Sequence, residues 1–247
     1  MHPGTRKDLE HDLTEAADPE RAKISAWFFK TGKGEYGEGD RFIGLTVPVM
    51  RRIALRYRHL EFKDLAKLLT SPVHEYRLAA LEILVAQFDK AQETLREQIV
   101  SFYLQQTARI NNWDLVDASA PSILGEYLRT RPRDILDKLA ASDNLWERRI
   151  AIVSTFAFIR QGDLNDTFRI AEYLLNDRHD LIHKASGWAL REAGKVSPPK
   201  LVRFLRKHYS RLPRTTLRYA IERFPPEQRK QMLRGVFPST ETGSKTN

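Results

Sequence analysis

The chain of 247 residues contains no cysteine. Disulfides, thiolate nucleophiles and cysteine-based zinc sites are therefore excluded. No apolar run approaches the ~18 residues that a membrane-spanning helix needs. The segment Met1 to Glu20 is polar and lacks the apolar core of a signal peptide. These features favour a soluble, intracellular protein, and we expect it to be cytoplasmic and to bind no membrane.

Alternating apolar and polar residues, the pattern of a strand, are also missing, and the periodicity indicates helices throughout. Prolines and glycines divide the helical segments, as at Asp18-Pro19 and Ser71-Pro72. Two helices are expected in residues 5–30 and another from Val47 to Arg58. Further helices are predicted at about 61–70, 73–88, 91–109, 113–129, 132–141, 144–160, 164–176, 179–193, 198–210, 213–223 and 225–236.

A glycine-rich loop at residues 31–40 contains G-x-G-x-x-G at Gly32, Gly34 and Gly37. A dinucleotide-binding fingerprint needs a strand before these glycines and a helix starting on them. Here a helical segment precedes the loop and two acidic residues, Glu35 and Glu38, lie among its glycines, which disfavours a nucleotide cradle. Similarly, His179 and His183 have the i, i+4 spacing of H-E-x-x-H zinc sites. An aspartate replaces the glutamate and no third ligand is evident, so we expect no metal.

The helices repeat at a nearly constant interval. If Arg77, Trp113, Arg149, Lys184 and Arg218 are equivalent, the intervals are 36, 36, 35 and 34 residues. This spacing predicts an all-α protein, an α-solenoid of antiparallel HEAT-like helix pairs in which every second helix lines one concave face. We expect one solenoid domain over residues 1–237 and a disordered polar tail at 238–247.

Positive charge is concentrated near the C-terminus. The formal net charge is +9, and eleven Lys and Arg residues lie between Lys200 and Arg234 against two acids. A basic surface attracts polyanions, and nucleic acid is the favoured partner. The repeat places the cations Arg77, Arg149, Lys184 and Arg218 in a row on the concave face, which predicts a basic groove suited to a phosphate backbone.

The stretch Asn112-Trp113-Asp114-Leu115-Val116-Asp117 is the best candidate for a site. Trp113 and Asp117 are four residues apart and share a helix face, and Asp117 has apolar neighbours. A carboxylate in apolar surroundings is costly unless it is paired, hydrogen-bonded or used. A helix with a buried capping acid is the alternative. Trp113 and Trp188 would be ordinary core aromatics in that case, and Arg149 a surface arginine paired with a glutamate.

Three motifs together resemble the AlkD family of DNA alkylation repair glycosylases. They are Asn112–Asp117, Asp143–Ile152 and Lys184–Glu192, and Phe42-Ile43-Gly44-Leu45 with Arg51 and Arg52 is similar to the N-terminal part of that family. The resemblance covers about residues 5–235. It implies a glycosylase that excises N3- and N7-alkylated purines from duplex DNA in base excision repair, without flipping the base and without a cofactor.

The resemblance also implies roles for individual residues. Asp117 matches the catalytic acid of the family, Trp113 and Trp188 its paired indoles, and Arg149 its backbone-contacting arginine. The predicted DNA-binding residues are Arg51, Arg52, Arg148, Lys184, Arg191 and Arg218. An N3- or N7-alkylated purine is already cationic, so it can leave without a general acid. A fixed carboxylate then only has to stabilise the sugar cation and hold the attacking water. The glycine-rich loop is longer than is usual for the family, which puts lesion contacts from the N-terminal helices in question.

A HEAT-like scaffold that binds DNA or a protein without catalysis is the alternative function. The presence of Trp113, Asp117, Arg149 and Trp188 together favours the enzyme. We expect a monomer, associated with the nucleoid, whose partner is double-stranded DNA carrying alkylated purines.

Overall fold

The computed structural model describes residues 4–239. Within that range all regular secondary structure is helical, apart from one isolated bridge between Arg41 and Val73. It divides into two compact units, Met1–Tyr127 and Leu128–Asn247. The predicted single domain over residues 1–237 stays a prediction. Of the predicted tail, residues 240–247 lie outside the described residues.

Unit 1 is built around one long helix, α5, which packs against α3, α4, α6 and α7. Short 3₁₀ turns at Leu55–Tyr57 and Thr107–Arg109 follow α3 and α6. The α-helices are α1 (Arg6–Glu15), α2 (Pro19–Phe28), α3 (Val47–Ala54), α4 (Phe62–Leu69), α5 (His74–Lys90), α6 (Glu93–Gln105) and α7 (Trp113–Ser119).

Unit 2 is organised in the same way around α12, which packs against α9, α11, α13 and α14. Two short 3₁₀ turns, Leu128–Thr130 and Leu174–Asn176, lie beside its helices. The α-helices are α8 (Asp134–Ala140), α9 (Leu145–Ser154), α10 (Phe156–Ile159), α11 (Asn165–Tyr173), α12 (Asp180–Val196), α13 (Pro198–His208), α14 (Arg214–Ala220) and α15 (Pro226–Leu233).

Local sequence signals explain where many of these helices begin. Thr5 and Asp8 form a reciprocal capping box at α1, and the Asp18 carboxylate accepts from the backbone of Glu20 and Arg21 ahead of Pro19. Such side chains satisfy the backbone N–H groups that the first helical turn leaves unpaired. The predicted break at Asp18-Pro19 is therefore correct.

The backbone of residues 113–129 is helical, as predicted, but it is not one regular α-helix. The α-helix ends at Ser119, and Pro121–Gly125 forms a π-helical turn in which the Gly125 N–H donates to Ala120 O at 2.9 Å. Pro121 has no N–H to donate, so the α-helical hydrogen-bond pattern cannot continue through it. The helix that carries Trp113 and Asp117 is consequently only 7 residues long.

The segment before α3 is anchored by the buried carboxylate of Glu75 on α5. Its oxygens accept from the N–H groups of Ile43 (3.1 Å), Gly44 (2.8 Å) and Leu45 (3.4 Å). Gly44 has φ +86°, and a Cβ there would lie 2.1 Å from Asp18 O. Only glycine fits this position, since it alone adopts a positive φ without a side-chain clash.

The all-α fold class is confirmed, and the architecture is consistent with an α-solenoid of helix pairs. The concave basic groove stays a prediction. None of the helices within residues 4–239 has the length and apolar character needed to cross a membrane.

Candidate functional site

Trp113 and Asp117 lie one turn apart on α7 and are both half-buried. Leu115 and Val116, between them in sequence, are fully buried and attach the helix to the core of unit 1. The N-cap is Asn112, whose Oδ1 accepts from the Trp113 N–H at 2.8 Å. Asn112, and not Asp117, therefore caps α7, and the indole and carboxylate share the partly exposed face of a short, anchored helix.

A buried phenol lies close to the Asp117 carboxylate. Burial, with the Asp117 charge adding to it, raises the pKa of Tyr103. The Tyr103 hydroxyl is 3.1 Å from Ser119 Oγ, which in turn donates to Leu115 O at 2.6 Å. Tyr103 thus stays neutral at physiological pH and supports α7 rather than competing with Asp117 as an anion.

The Trp113 indole is held by aromatic rings from the segment between α2 and α3. Phe29 stacks on Trp113 with centroids 5.2 Å apart and planes at 14°, and Phe42 stacks on Phe29 at 4.9 Å. His74 contacts both phenylalanines, stacked on Phe42 at 4.5 Å and tilted against Phe29 at 5.1 Å. The four rings therefore form one aromatic cluster, in which Phe29 joins Trp113 to Phe42 and His74. Offset stacking of this kind restricts the orientation of each ring.

On α2, Ile24, Trp27 and Phe28 have the i, i+3, i+4 spacing of one apolar helix face, and this face is turned to solvent. Ile24, Trp27 and Phe28 are 67%, 74% and 54% exposed. The Lys30 ammonium lies over the Trp27 ring at 5.5 Å, and Phe28 meets Trp113 edge-on at 6.0 Å. An exposed aromatic surface of this kind marks an interaction site more often than a defect in packing.

His74, one ring of the aromatic cluster, also belongs to a buried network of charges. His74 places Nε2 at 2.7 Å from Asp114 Oδ2 and Nδ1 at 3.1 Å from Asp40 Oδ2. Arg77 donates from Nη2 to Asp40 Oδ1 at 2.7 Å, and Asn112 donates from Nδ2 to Asp40 Oδ2 at 3.2 Å. The network joins the end of the glycine-rich loop, the first turn of α5 and the first turn of α7.

The charges in this network stabilise one another. Burial by itself would lower the pKa of His74, but Asp114 and Asp40 raise it to about 9. Burial would likewise raise the pKa of Asp40, but His74 and Arg77 hold it below its ordinary value. At neutral pH the group therefore contains two cations and two carboxylates, the arrangement in which buried charge is tolerated.

In unit 2, Arg149 on α9 is buried, with 5% exposure, and donates from Nη1 to Leu181 O at 2.7 Å. It is therefore not the surface arginine of the alternative interpretation. Trp188 on α12 is half-buried and packs at 4.3 Å against Phe156. Its indole thus keeps an accessible edge on a helix that is otherwise part of the core.

The predicted DNA-binding cations differ in their contacts within the protein, and four of the six pair with an acidic residue. Arg51 forms a two-pronged pair with Glu82 at 2.7 and 2.8 Å, and Lys184 pairs with Asp180 at 2.8 Å. Arg148 bonds Asp177 at 2.6 Å and two backbone carbonyls, and Arg191 pairs with Glu222. The remaining two, Arg52 and Arg218, are exposed.

Counted from the first residue of each helix, the five predicted repeat positions do not all coincide. Arg149, Lys184 and Arg218 each lie four residues after the first residue of their helix and Arg77 lies three after it, whereas Trp113 is the first residue of α7. Asp117 is therefore the residue of α7 that matches the first three of these cations in helical position. At this position α7 therefore carries the proposed catalytic carboxylate, where α9, α12 and α14 carry a cation.

The other two sequence motifs have local structural roles. His179 Nδ1 accepts from the Leu181 N–H at 3.2 Å as an N-cap, and His183 Nε2 contacts Asp177 O. Within residues 4–239 no group of three metal-binding side chains occurs. In the glycine-rich loop, Glu35 and Glu38 accept from the N–H groups of Gly32 and Gly34. These amides therefore bind the carboxylates of the loop itself.

Sequence reasoning missed Phe29, His74 and Asp40. A histidine at the start of α5, directly after the Ser71-Pro72 break, and an aspartate ending a glycine-rich loop were visible signals. Their pairing joins residues 34 positions apart and follows only from the fold.

Comparisons with known proteins identify the family of this chain. Residues 9–224 match the family described as DNA alkylation repair enzyme. The chain belongs to the DNA alkylation repair enzyme family. A solved structure of a predicted DNA alkylation repair enzyme from Enterococcus faecalis is similar with a TM-score of 0.66 and 16% sequence identity, covering 85% of this chain and 97% of that one. At this identity the likeness shows the shared fold. No curated protein matches the chain.

Membership of this family gives the coarse function. The protein is a DNA alkylation repair enzyme by family, and DNA is the substrate that the family description indicates. The predicted resemblance to this family is confirmed.

Proposed function

We propose that this protein is a DNA glycosylase that hydrolyses the N-glycosidic bond of cationic N3- and N7-alkylated purines in duplex DNA. The observation that carries the proposal is Asp117, half-buried and one turn beyond the stacked Trp113 on an anchored helix. A carboxylate fixed in this way stabilises positive charge without having to reorganise during the reaction.

The chemistry requires little else. An N7- or N3-alkylated purine carries positive charge and leaves as a neutral base, so no general acid is needed. As the bond breaks, the sugar acquires oxocarbenium character, which the Asp117 carboxylate stabilises while it orients a water for attack. Tyr103 lies beside Asp117 and is neutral, so it adds no second negative charge next to that carboxylate.

The aromatic side chains supply binding without an enclosed base pocket. Trp113, Phe28 and Trp27 form a partly exposed surface on unit 1, and Trp188 presents a half-buried indole on unit 2. We propose that these rings pack against the sugar and backbone of the damaged nucleotide. The base then stays in the stack, in contrast to enzymes that extrude it.

The cations supply contacts to phosphate. Arg52 and Arg218 are exposed and suited to direct phosphate contacts, and we propose that Lys184 and Arg191 exchange their acidic partners for phosphates. Arg51 and Arg148 keep their proposed DNA-binding roles, and Arg149 acts from its buried position beside Leu181. We further propose that the enzyme is a monomer without a cofactor, that it works in the cytoplasm at the nucleoid, and that it initiates base excision repair.

The test is single-turnover release of N7-methylguanine from a duplex with one lesion, corrected for spontaneous loss. Asp117→Asn keeps the shape of the side chain and removes its charge. Its rate should fall at least about 100-fold, as for the loss of a major electrostatic contact, while the affinity for the duplex is retained. The matched control is Asp89→Asn, since Asp89 is exposed at the end of α5.

Two results would oppose the proposal. Excision by Asp117→Asn at the wild-type rate would show that this carboxylate is not catalytic. Tight duplex binding by a wild type that releases no base above the spontaneous rate would favour the non-catalytic scaffold.

A further inference from the structure

The imidazole of His74 is the best-connected polar group in unit 1. Both ring nitrogens face carboxylate oxygens, Nε2 that of Asp114 and Nδ1 that of Asp40. A carboxylate only accepts hydrogen bonds, so both nitrogens must carry protons. The ring is 2% exposed. The geometry therefore places a buried imidazolium between two carboxylates from separate parts of the chain.

Each partner of His74 belongs to a segment that bears on the proposed catalytic helix. Asp114 is the second residue of α7, between Trp113 and Leu115. Asp40 ends the glycine-rich loop and also accepts from Asn112, the N-cap of α7. His74 thus fixes the first turn of α7 through Asp114 directly and through Asp40 and Asn112 indirectly.

A second connection between His74 and Trp113 runs through the aromatic cluster. Phe29 meets His74 at 5.1 Å and stacks on Trp113 with planes at 14°, and Phe42 stacks on both His74 and Phe29. A cation against an aromatic face adds electrostatic attraction to the stacking. The same imidazolium therefore restrains both the backbone and the side chain of Trp113.

We propose that His74 is a positioning residue: its imidazolium fixes the first turn of α7, and so sets the orientation of Trp113 and Asp117 for excision. The inference rests on the proposed function for its effect on excision, but the positioning of Trp113 is a property of the free protein. Asp40 from the loop, Asp114 from α7 and Arg77 from its own helix are the charged groups that face His74. The pair Arg51–Glu82 joins α3 to α5 two turns farther along.

The first experiment reads the positioning directly. The protein is labelled with 5-fluorotryptophan, and the Trp113 resonance is assigned by its loss in Trp113→Phe. The imidazole nitrogens are observed by ¹⁵N NMR in the same pH series. We expect a doubly protonated His74 at pH 7.5, and a Trp113 signal that moves or broadens in His74→Gln and, in the wild type, as His74 deprotonates.

The second experiment measures excision at pH 7.5. His74→Gln should lower the single-turnover rate constant by about 10- to 100-fold, the range expected from misplacing a catalytic group by about 1 Å, with little change in Kd for the duplex. His208→Gln is the matched control, because His208 is equally buried and lies in unit 2 on α13. It should leave both the rate constant and the Trp113 signal unchanged.

A second variant keeps the inference testable if His74→Gln folds poorly. Asp114→Asn removes the partner charge on α7 and should move the Trp113 signal in the same direction. The double variant should lose less than the sum of the two single losses, because both act through one contact.

Three outcomes would overturn the inference: a neutral His74 at pH 7.5, a Trp113 signal that is unchanged in both single variants, or a full excision rate in His74→Gln. If the wild type excises nothing, the proposed function fails, and the fluorine and nitrogen spectra alone decide whether His74 positions Trp113.

Discussion

Phe29 and Trp113 stack almost parallel, with ring centroids 5.2 Å apart and planes at 14°. The contact ties the proposed catalytic helix to the residue directly after α2, so the orientation of the indole depends on the N-terminal part of the chain. Phe42 also stacks on Phe29, at 4.9 Å, and His74 lies 5.1 Å from it, so the ring has little freedom to move.

The stack predicts the effect of Phe29→Leu. Leucine fills much of the volume but cannot stack, so the free energy of unfolding should fall by about 1 kcal/mol. Excision should fall further than stability alone explains, because Trp113 loses its support. Denaturant unfolding and single-turnover excision measure the two effects. Phe62→Leu is the control, since Phe62 stacks on Phe102 in the same unit, away from α7. Equal excision by both variants would contradict the role of Phe29.

Arginines that are exposed and arginines that are bonded within the protein should affect DNA binding and stability differently. Arg52→Ala and Arg218→Ala remove exposed cations, so each should reduce the salt dependence of duplex binding by about one unit of slope. Arg148→Ala instead removes bonds to Asp177 and to two carbonyls, and should mainly lower stability. Binding titrations between 50 and 300 mM salt, with thermal unfolding in parallel, separate these effects. A salt slope unchanged in both exposed variants would argue against them as phosphate contacts.

Lesion charge, rather than lesion shape, should decide which bases are released. N7-methylguanine and N3-methyladenine are cationic and leave without protonation, whereas uracil and hypoxanthine are neutral and should stay in place. A site that acts on the sugar should also accept bulky N7 adducts that a base-enclosing pocket excludes. The measurement is free-base release from duplexes with one lesion each, relative to the spontaneous rate. Efficient release of uracil, or acceptance of the methyl adduct alone, would indicate an enclosed pocket instead.

Stability should depend on pH through His74. Its pKa is raised from 6.5 to about 9, so its contribution is complete below pH 6.5 and is lost as the pH rises through 9. The loss over this window should amount to about 3 kcal/mol. The contribution of Asp40, whose pKa is lowered, is lost only on acidification and stays constant here. His179 and His208 have lowered pKa values and are also constant above pH 6.5.

Urea unfolding at pH 6.5, 7.5 and 9 measures this dependence in the wild type and in His74→Gln. The wild type should lose stability steadily over the series, while the variant starts lower and changes much less. Parallel curves for the two proteins would show that His74 does not titrate with a raised pKa.

Much of the fold was predictable because its signals are local. The break at Asp18-Pro19 lies where the sequence places it, and helical periodicity identified the all-α class. Helical periodicity also predicted the helical backbone of residues 113–129, but not the π-helical turn at Pro121–Gly125 that interrupts its α-helical hydrogen bonds.

The surroundings of the candidate site were much less predictable. Trp113 and Asp117 were found from their spacing, but Phe29 and His74 contact α7 from distant parts of the chain, and Phe42 packs against both of them. The face of Ile24, Trp27 and Phe28 was visible as periodicity, and periodicity does not distinguish a face that packs on the core from one that meets solvent. The repeat register also slipped at α7, since a short helix that starts on Trp113 shifts the match to Asp117.

The glycine-rich loop is fixed near its ends and open at its tip. Gly37 donates to Lys30 O at 3.0 Å and has no room for a Cβ beside Phe29 O, and Asp40 is held by His74 and Arg77. A side chain at Gly34, by contrast, would meet nothing within 4 Å. The tip can therefore accept an insertion. A fluorescent domain or an affinity peptide inserted between Lys33 and Gly34 would report on this enzyme in cells, while Asp40 keeps its contacts with His74 and Arg77.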